Sequence, residues 1–257
     1  MHGHSATFAD LKGKSVFITG GGSGIGADLT RGFLEQGAHV AFIGRSDYGR
    51  FVGEMGDLTG TEPLFCQGDV TDTDQLRSSI DAAEAAHGPL DILVNNAAHD
   101  MRFDPMEVTP EDWDAMHAVN LRHLFFSAQR AAETMRPRGR GAIVNISSIA
   151  YVLGMGDLSV YTAAKAGIVG LTRSLADAWG PDGLRINAVL PGMVLTKRQL
   201  ELWIDDEDIK GMVERQDLKE AMTGKDMVGP VLFLASDAAR MMSGQAIIVD
   251  GGVARGL

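Results

Sequence analysis

The feature that most constrains the fold is a regular alternation of short apolar runs with helical stretches. Seven runs are predicted strands, at residues 15–19, 39–43, 64–67, 91–95, 142–146, 185–190 and 246–249. Helices are predicted at residues 27–36, 73–87, 110–135 and 160–179. Strands that are apolar on both faces and alternate with helices pair in parallel, within a sheet covered on both sides. The sequence therefore predicts a doubly wound α/β fold with a seven-stranded parallel sheet.

One segment, residues 193–224, breaks this rhythm. It is rich in charge, contains Trp203 and shows no strand pattern. It follows the sixth strand, and open α/β sheets bind ligands beyond the carboxyl ends of their strands. We expect a substrate lid here, with a solvated pair of helices as the alternative. No repeat or linker divides the chain, so residues 1–257 are predicted to form a single domain.

The net charge of −11 argues against a nucleic-acid partner, because phosphate backbones are bound by clustered Lys and Arg. No apolar run approaches the roughly 18 residues of a membrane span. The N-terminal residues lack the cationic start and apolar core of a signal peptide. We therefore expect a cytoplasmic protein with no membrane segment and no metal site.

The first predicted strand leads directly into the glycine-rich sequence TGGGSGIG at residues 19–26, which opens the first helix. Glycines at such a turn let the backbone approach a pyrophosphate, and the helix N-terminus supplies free N–H groups. The glycine spacing is GxxxGxG and differs from the commoner GxGxxG. The context predicts a Rossmann-like dinucleotide site whose contacts are Gly20, Gly22, Ser23, Gly24, Ile25 and Gly26.

The end of the second strand should select the cofactor. An acidic residue there would bind the adenosine ribose of NAD and repel the 2′-phosphate of NADP. This sequence has Gly44 at that position, followed by Arg45 and Ser46. A guanidinium binds phosphate through charge-assisted hydrogen bonds, so NADP is favoured over NAD. Asp47 and the uncharged Ser23 count against NADP, and Arg45 could instead stack on adenine.

The ends of the third and fourth strands should complete the cofactor site. Asp69 and Val70 follow the third strand and are placed to meet the adenine ring. The fourth strand ends in NNAA, which brings Asn96 and Ala97 beneath the cofactor.

A catalytic group is indicated by Tyr161 and Lys165, which lie four residues apart and share one face of a predicted helix. A hydride leaves a C–H bond only as the hydroxyl proton departs, so the reaction needs a base. A phenol, whose pKa is ~10, becomes a base only beside positive charge, which an ammonium and an oxidised nicotinamide can supply. Ser148, just past the fifth strand, is a neutral donor to the substrate oxygen.

From about residue 11 to residue 252 the chain resembles the short-chain dehydrogenase/reductase family. The matching motifs are TGGGSGIG, Asp69, NNAA, Asn120, Ser148, YTAAK and the stretch from Pro191 to Thr196. The resemblance implies that Tyr161 is the acid/base, that Lys165 also holds the nicotinamide ribose and that Asn120 sustains a water-linked proton relay. It also implies nicotinamide contacts from Pro191, Gly192, Val194 and Thr196. Ala98 departs from the glycine usual in this family.

A homotetramer is expected, because the helices predicted at residues 110–135 and 160–179 carry small residues that allow close helix approach and the family commonly pairs these helices; the alternative is that they pack only on the sheet. The small residues are Ala163, Ala164, Ala166, Gly167 and Gly170.

The sequences VNLRHLFF, LGMGDLSVY and TKRQ resemble bacterial D-xylose and other aldose 1-dehydrogenases, which oxidise a sugar to its lactone. The expected substrate residues, all polar or aromatic, are Ser148, Tyr161, His99, Arg102, Asp157, Gln199 and Trp203.

Three alternatives remain open for the function. Arg102, Lys197 and Arg198 could fix the carboxylate of a sugar acid, such as a 2-keto-3-deoxy acid. A 3-oxoacyl-type ketoreductase is a second alternative, although the net charge of −11 does not favour docking to a carrier protein. A non-catalytic nucleotide-sensing module is the third.

Overall fold

The computed structural model describes residues 6–202 and 205–254. Its main sheet has seven parallel strands in the order β3-β2-β1-β4-β5-β6-β9. The strands are β1 Ser15–Thr19, β2 His39–Gly44, β3 Leu64–Gln67, β4 Ile92–Asn95, β5 Gly141–Ile146, β6 Leu184–Pro191 and β9 Ala246–Val249, and a two-stranded pair is formed by β7 Val194–Leu195 and β8 Met222–Thr223. All seven predicted strands of the main sheet are confirmed, to within a residue at either end.

Helices cover both faces of the sheet. They are α1 Gly24–Glu35, α2 Gly49–Thr59, α3 Thr73–His87, α4 Pro110–His117, α5 His123–Met135, α6 Ala150–Leu153, α7 Ser159–Trp179, α8 Lys197–Leu202, α9 Asp206–Arg215 and α10 Lys225–Ala235. Among the described residues, no helix is both long and apolar enough to cross a bilayer.

Strand β1 shows why the sheet must be covered on both sides. Val16, Phe17 and Ile18 are all fully buried. Because successive side chains of a strand point to opposite faces, Val16 and Ile18 enter one core and Phe17 enters the other. The first core is completed by α1 and α10, and the second by α3, α5 and the C-terminal part of α7. The prediction of a doubly covered sheet is therefore confirmed.

Three helices have no counterpart in the sequence prediction, namely α2, α6 and α10. Helix α2 contains three glycines and α10 contains Pro230, and both residue types disfavour a helix interior. Tertiary burial overrides this local preference, because α10 buries residues such as Val228 and Val231 against the sheet. Helix α6 has only four residues and follows β5 closely, so its pattern is too short to recognise.

The prediction of a single helix at residues 110–135 is wrong in one respect, because a π-helical segment, Ala118–Arg122, interrupts the helix. Within that segment the side chain of Asn120 donates to the carbonyl oxygen of Met116 at 3.0 Å. A π-helical turn carries one extra residue and often marks a functional site. The π-helical segment directs the Asn120 side chain toward the loop that follows β4.

The expectation that residues 193–224 contain no strand is also wrong. Strand β7 opens the segment and pairs in parallel with β8 near its end. Helices α8 and α9 lie between these strands, so the segment leaves the sheet and returns beside its own starting point.

Candidate active site

The carboxyl ends of the central strands border a cavity of about 630 Å³. Its wall combines residues that follow β4, β5 and β6 with residues of α7, α8 and α9. Of the predicted site residues, the wall contains Ile25, Asn96, Arg102, Ser148, Tyr161, Lys165, Pro191, Gly192, Val194, Thr196 and Gln199. The structure thus brings together eleven predicted residues that come from five separate parts of the sequence.

The glycine-rich turn is built so that one part of it stays open. A Cβ atom on Gly26 would lie 1.9 Å from the carbonyl oxygen of Gly20, so this glycine permits the tight approach of turn and helix. At Gly24 the nearest atom to such a Cβ would be a methyl carbon of Thr196 at 3.4 Å. The Ser23 side chain makes no capping bond at the start of α1. Uncapped N–H groups beside an open turn fit a pyrophosphate.

Thr19 ties the glycine-rich turn to the end of β4. Its Oγ1 accepts hydrogen bonds from the backbone N–H groups of Asn96 at 2.9 Å and Ala97 at 3.0 Å. The side chain of Asn96 donates in return to the carbonyl oxygens of Thr19 and Gly20, both at 3.1 Å. These bonds place Asn96 and Ala97 against the turn, and the floor they form is held by the protein itself.

The adenosine end of the site is more exposed. The Arg45 guanidinium lies 3.8 Å from the Asp69 carboxylate, and the Arg45 side chain is 70% exposed. Asp69 also accepts two hydrogen bonds from Thr71, at 2.8 Å each. Ser46 is exposed, whereas the Val70 side chain is buried in the core. Any adenine contact at Val70 would therefore use its main chain.

A residue that sequence reasoning missed also lies at this end. The Tyr48 ring packs on the backbone of both Gly22 and Gly44, and its hydroxyl lies 3.4 Å from Ser23 Oγ. An aromatic residue four positions past Gly44, at the predicted cofactor-selecting end of β2, was the available signal.

Lys165 is buried and pairs with the end of β5, where its Nζ donates to the carbonyl oxygen of Ile146 at 2.9 Å. Ser147 donates to the carbonyl oxygen of Lys165 at 2.8 Å, which fixes α7 against the same strand. Nζ lies 5.4 Å from the centre of the Tyr161 ring. Burial lowers the pKa of Lys165 to about 7, and the Asp100 carboxylate opposes this shift.

Tyr161 has two influences that raise its pKa and one that lowers it. Burial raises the pKa most, and the nearby Asp100 carboxylate raises it further. A hydrogen bond with Ser148 lowers it. Ser148 Oγ accepts from the N–H of Ala150 at 3.1 Å, which leaves the hydroxyl hydrogen free to donate. The protein alone therefore keeps the phenol protonated, and ionisation requires further positive charge beside the ring.

A chain of buried hydrogen bonds supports α7 from beneath. Ser127 on α5 donates to Asn95 at 2.6 Å, Asn95 donates to Asn145 at 2.9 Å, and Asn145 donates to Thr172 on α7 at 2.9 Å. All four side chains are buried. Satisfied polar networks of this kind fix the relative position of the elements that they join.

The side chain of Asn120 is hydrogen-bonded to the loop that follows β4. Its Oδ1 accepts from the N–H of His99 and its Nδ2 donates to the carbonyl oxygen of His99, both at 2.9 Å. With the bond to Met116, both side-chain N–H donors are used. The side chain of Asn120 thus orders the loop that carries Asp100 into the cavity.

The predicted substrate residues divide into three groups. Ser148, Tyr161, Arg102 and Gln199 line the cavity, whereas His99 and Asp157 are not among the described residues that form its wall. Trp203 lies outside the described residues.

Three side-chain contacts join the loop after β4 to neighbouring segments. Gln199 and Arg198 both donate to Asp100, Arg198 at 3.3 Å. Arg102 pairs with Asp157 at 2.8 Å.

Helix α9 contributes a wall that the sequence analysis did not identify, formed by Glu207, Asp208, Gly211, Met212 and Arg215. The side chain of Asp205 accepts from the N–H groups of Glu207 and Asp208 and so begins the helix. The cavity residues recur every three to four positions, as one face of a helix requires. The capping residue Asp205 and the three-to-four-residue spacing of the cavity residues can both be recognised in the sequence.

The stretch after β6 closes the cavity near the glycine-rich turn. A Cβ on Gly192 would lie 2.9 Å from the Cα of Asp250, so only glycine fits there without a shift. Val194 is buried, and Thr196 Oγ1 accepts from the N–H of Gln199 at 3.3 Å. Thr196 therefore joins the start of α8 to the open turn at Gly24.

Known proteins resemble this chain along nearly its whole length. The family model described as enoyl-(acyl carrier protein) reductase matches residues 20–254. A "Probable galactose dehydrogenase" of Rhizobium meliloti is 48% identical over 251 residues, which cover 97% of this chain and 98% of that protein. The D-xylose 1-dehydrogenase of Caulobacter vibrioides is 44% identical over 250 residues, which cover 96% and 98%. A short-chain dehydrogenase/reductase from Serratia marcescens superposes with a TM-score of 0.87 at 30% identity, over 96% of this chain and 100% of that one.

Proposed function

The chain belongs to the short-chain dehydrogenase/reductase family, and from this membership we propose that it oxidises an aldose at C1 to the aldonolactone. It is an NAD(P)-dependent oxidoreductase that acts on CH–OH groups. The aldose substrate is supported by the names of its relatives, a galactose dehydrogenase and a D-xylose 1-dehydrogenase.

The observation that carries the proposal is the grouping of Ser148, Tyr161 and Lys165 on one wall of the cavity. Bound NAD(P) supplies the acceptor for the hydride that leaves C1. Tyr161 Oη, as the phenolate that the positive charge of the oxidised nicotinamide and of the Lys165 ammonium would favour, would take the proton of the anomeric hydroxyl as the C1–O double bond forms. Ser148, whose hydroxyl hydrogen pairs with Tyr161 in this structure, would turn to donate to the same substrate oxygen and stabilise its developing charge.

Lys165 has a defined place in this scheme. Its Nζ is fixed by the carbonyl oxygen of Ile146 and lies over the Tyr161 ring. As an ammonium it would lower the pKa of Tyr161, and it would also hold the nicotinamide ribose. Burial leaves the pKa of Lys165 at about 7, so the ammonium is only partly populated at neutral pH until more negative charge or a ligand favours it.

A sugar-acid substrate is less well supported than a neutral aldose. Arg102 pairs with Asp157 at 2.8 Å, Arg198 with Asp100 at 3.3 Å and Lys197 with Glu201 at 3.7 Å. Each cation proposed for a substrate carboxylate is therefore already beside a protein carboxylate, with which a sugar acid would compete.

The two remaining alternatives are also less well supported. A ketoreductase that acts on carrier-bound acyl chains would need a basic docking surface, which a net charge of −11 disfavours. A nucleotide-sensing module would not need both Tyr161 and Lys165 in the cavity wall.

NADP is proposed as the preferred cofactor, since Arg45 is exposed at the end of β2 and no acidic residue occupies position 44. The residues that would hold the pyrophosphate are Gly24 and the first N–H groups of α1, and those that would hold the nicotinamide are Pro191, Gly192, Val194 and Thr196. The segment 193–224 is proposed to act as the substrate lid of a single domain formed by the chain.

We also propose a cytoplasmic homotetramer. Of the small residues expected at the interface, Ala163, Ala166 and Gly170 form an exposed stripe on α7, where a second helix could approach closely. Gly167 is half-buried, and Ala164 is buried within the chain and would not take part. Light scattering should give four times the chain mass of 27.4 kDa, and a monomer mass at micromolar concentration would refute the assembly.

The function is tested with a panel of aldoses, sugar acids and ketones, in which absorbance of the reduced nicotinamide is followed with each cofactor. We expect an aldose to give the highest kcat/KM, with epimers differing about tenfold or more, because unpaired polar groups are costly in a buried site. If aldoses are inactive while a 2-keto sugar acid or its alcohol turns over, the sugar-acid dehydrogenase hypothesis replaces the aldose 1-dehydrogenase hypothesis.

A further inference from the structure

We propose that Tyr48 determines cofactor selectivity, because its ring fills the space beside Gly44 that an acidic, NAD-selecting side chain would occupy. The inference rests on the proposed dinucleotide site and concerns its adenosine end. It explains why β2 ends in glycine: the acid and the tyrosine ring exclude each other.

The exclusion follows from distances. A Cβ on Gly44 would lie 2.6 Å from Cε2 and 3.2 Å from Cδ2 of Tyr48. A Cβ on Gly22 would lie 2.5 Å from both Cγ and Cδ1 of the same ring. Contacts below 3.0 Å are too short for carbon atoms, so any side chain at position 22 or 44 would have to displace the ring. Tyr48 therefore sits between the glycine-rich turn and the end of β2.

The ring is also held from the other side. Its centre lies 5.8 Å from that of Phe42 and 5.5 Å from that of Phe65, and both contacts are edge-on. Such pairs stabilise a ring beyond its burial alone. The chain just after Tyr48 enters α2, where the Asp47 side chain accepts from the N–H of Gly49 at 2.8 Å. Displacing the ring would break the aromatic contacts, so an acid at position 44 has no free space to use.

The polar groups that remain at this edge suit a 2′-phosphate. The Tyr48 hydroxyl donates to Ser23 Oγ at 3.4 Å, which places two neutral hydroxyls beside the start of α1. Arg45 adds a positive charge at the end of β2. It also partly neutralises the Asp69 carboxylate, which lies 3.8 Å from the guanidinium. Neutral hydroxyls do not repel phosphate as an acidic side chain would, so the ring both excludes the acid and leaves a surface that NADP tolerates.

A double-mutant cycle tests the coupling between the two positions. Gly44→Asp, Tyr48→Ser and the double variant are titrated with NADH and with NADPH by nicotinamide fluorescence, in the full chain and without sugar. Gly44→Asp alone should weaken both nucleotides about tenfold or more, because the overpacked ring must move. The double variant should recover NADH binding to within a few-fold of the unsubstituted chain, while NADPH stays about 100-fold weaker because of charge repulsion.

Two further variants guard against loss of folding and against nonspecific rescue. Gly44→Ala introduces the clash without a charge and should lower Tm by about 2–10 °C, whereas the same substitution in a Tyr48→Ser background should lower it much less. Tyr151→Ser removes another half-buried tyrosine, remote from Gly44, and should rescue neither substitution at position 44.

Two results would overturn the inference. One is a Gly44→Asp variant that binds NADH as tightly as the double variant does, and the other is a Gly44→Ala variant as stable as the unsubstituted chain. If the unsubstituted chain bound neither nucleotide, the dinucleotide site itself would be refuted. Selective failure of the rescue would refute only the role of Tyr48.

Discussion

The two ends of the cofactor site are built differently. At the catalytic end, Lys165 is 1% exposed and is fixed through β5 and a buried hydrogen-bond network. At the adenosine end, the Arg45 side chain is 70% exposed and Tyr48 lies in the loop between β2 and α2. Positions inside a packed core admit few substitutions, whereas a loop tolerates many. From this contrast we infer that the packed core of the sheet fixes the residues proposed for hydride transfer, and that the residues proposed for nucleotide selectivity lie at its exposed margin.

The largest effect should come from removing the proton acceptor at the buried end. Tyr161→Phe deletes one hydroxyl and little contact area, so kcat should fall about 100-fold or more. The Kd for NADPH should change less than about twofold, since the ring that borders the site is retained. Stopped-flow kinetics and fluorescence titration separate the two quantities. A variant that keeps a tenth of the activity would remove Tyr161 from the mechanism.

The buried end should also respond to acid in a way that the exposed end does not. His123 is fully buried, and its Nε2 lies 3.4 Å from Thr19 Oγ1. Burial, assisted by the charge of Lys165, lowers the pKa of His123 to about 3, while Asp69 opposes the shift. The unfolded chain binds this proton below about pH 6.5 and the folded chain does not, so stability is complete above that pH and is lost as the pH falls.

Between pH 8 and pH 5 the loss attributable to His123 should be about 2 kcal/mol, at roughly 1.4 kcal/mol per pH unit once the pH is well below 6.5. Urea unfolding at several pH values measures it against His123→Gln, which shares every other titrating group. The variant should show a shallower acid limb. Parallel stability curves for the two proteins would show that His123 is not the group responsible.

At the exposed end, Arg45→Ala should change affinity without changing the chemistry. Loss of a charge-assisted contact to the 2′-phosphate should raise the KM for NADP about tenfold or more and leave the KM for NAD nearly unchanged. Arg50→Ala is the matched control, because Arg50 is also exposed and lies on neighbouring α2. Equal changes in the two KM values would mean that Arg45 does not read the phosphate.

The smallest effect should come from an exposed ion pair. Arg50 and Glu54 lie 2.8 Å apart at an i, i+4 spacing on α2, and the Arg50 side chain is 93% exposed. Such pairs contribute about 0.3–0.5 kcal/mol. Thermal unfolding of Arg50→Ala should therefore differ from the unsubstituted chain by no more than about 2 °C. A larger change in Tm would show that α2 contributes more to the stability of the core than the exposure of Arg50 indicates.

Features that depend on a local pattern of residues could be predicted before the structure was known. The apolar runs predicted all seven strands of the main sheet, because a strand buried on both faces must be apolar throughout. The spacing of Tyr161 and Lys165 placed both on one face of α7, because four residues span about one helical turn.

Contacts between distant segments could not be predicted from the sequence and depend on the tertiary structure. Asn120 holds the backbone of His99, Asp100 ties to Gln199, and the Tyr48 ring covers Gly22 as well as Gly44. The tertiary structure also fixes the helical state of α10, whose internal Pro230 opposes a helix that burial against the sheet stabilises. The physical reason is that backbone hydrogen bonding and side-chain periodicity act over a few residues, whereas these contacts require loops and helices already packed on a common core.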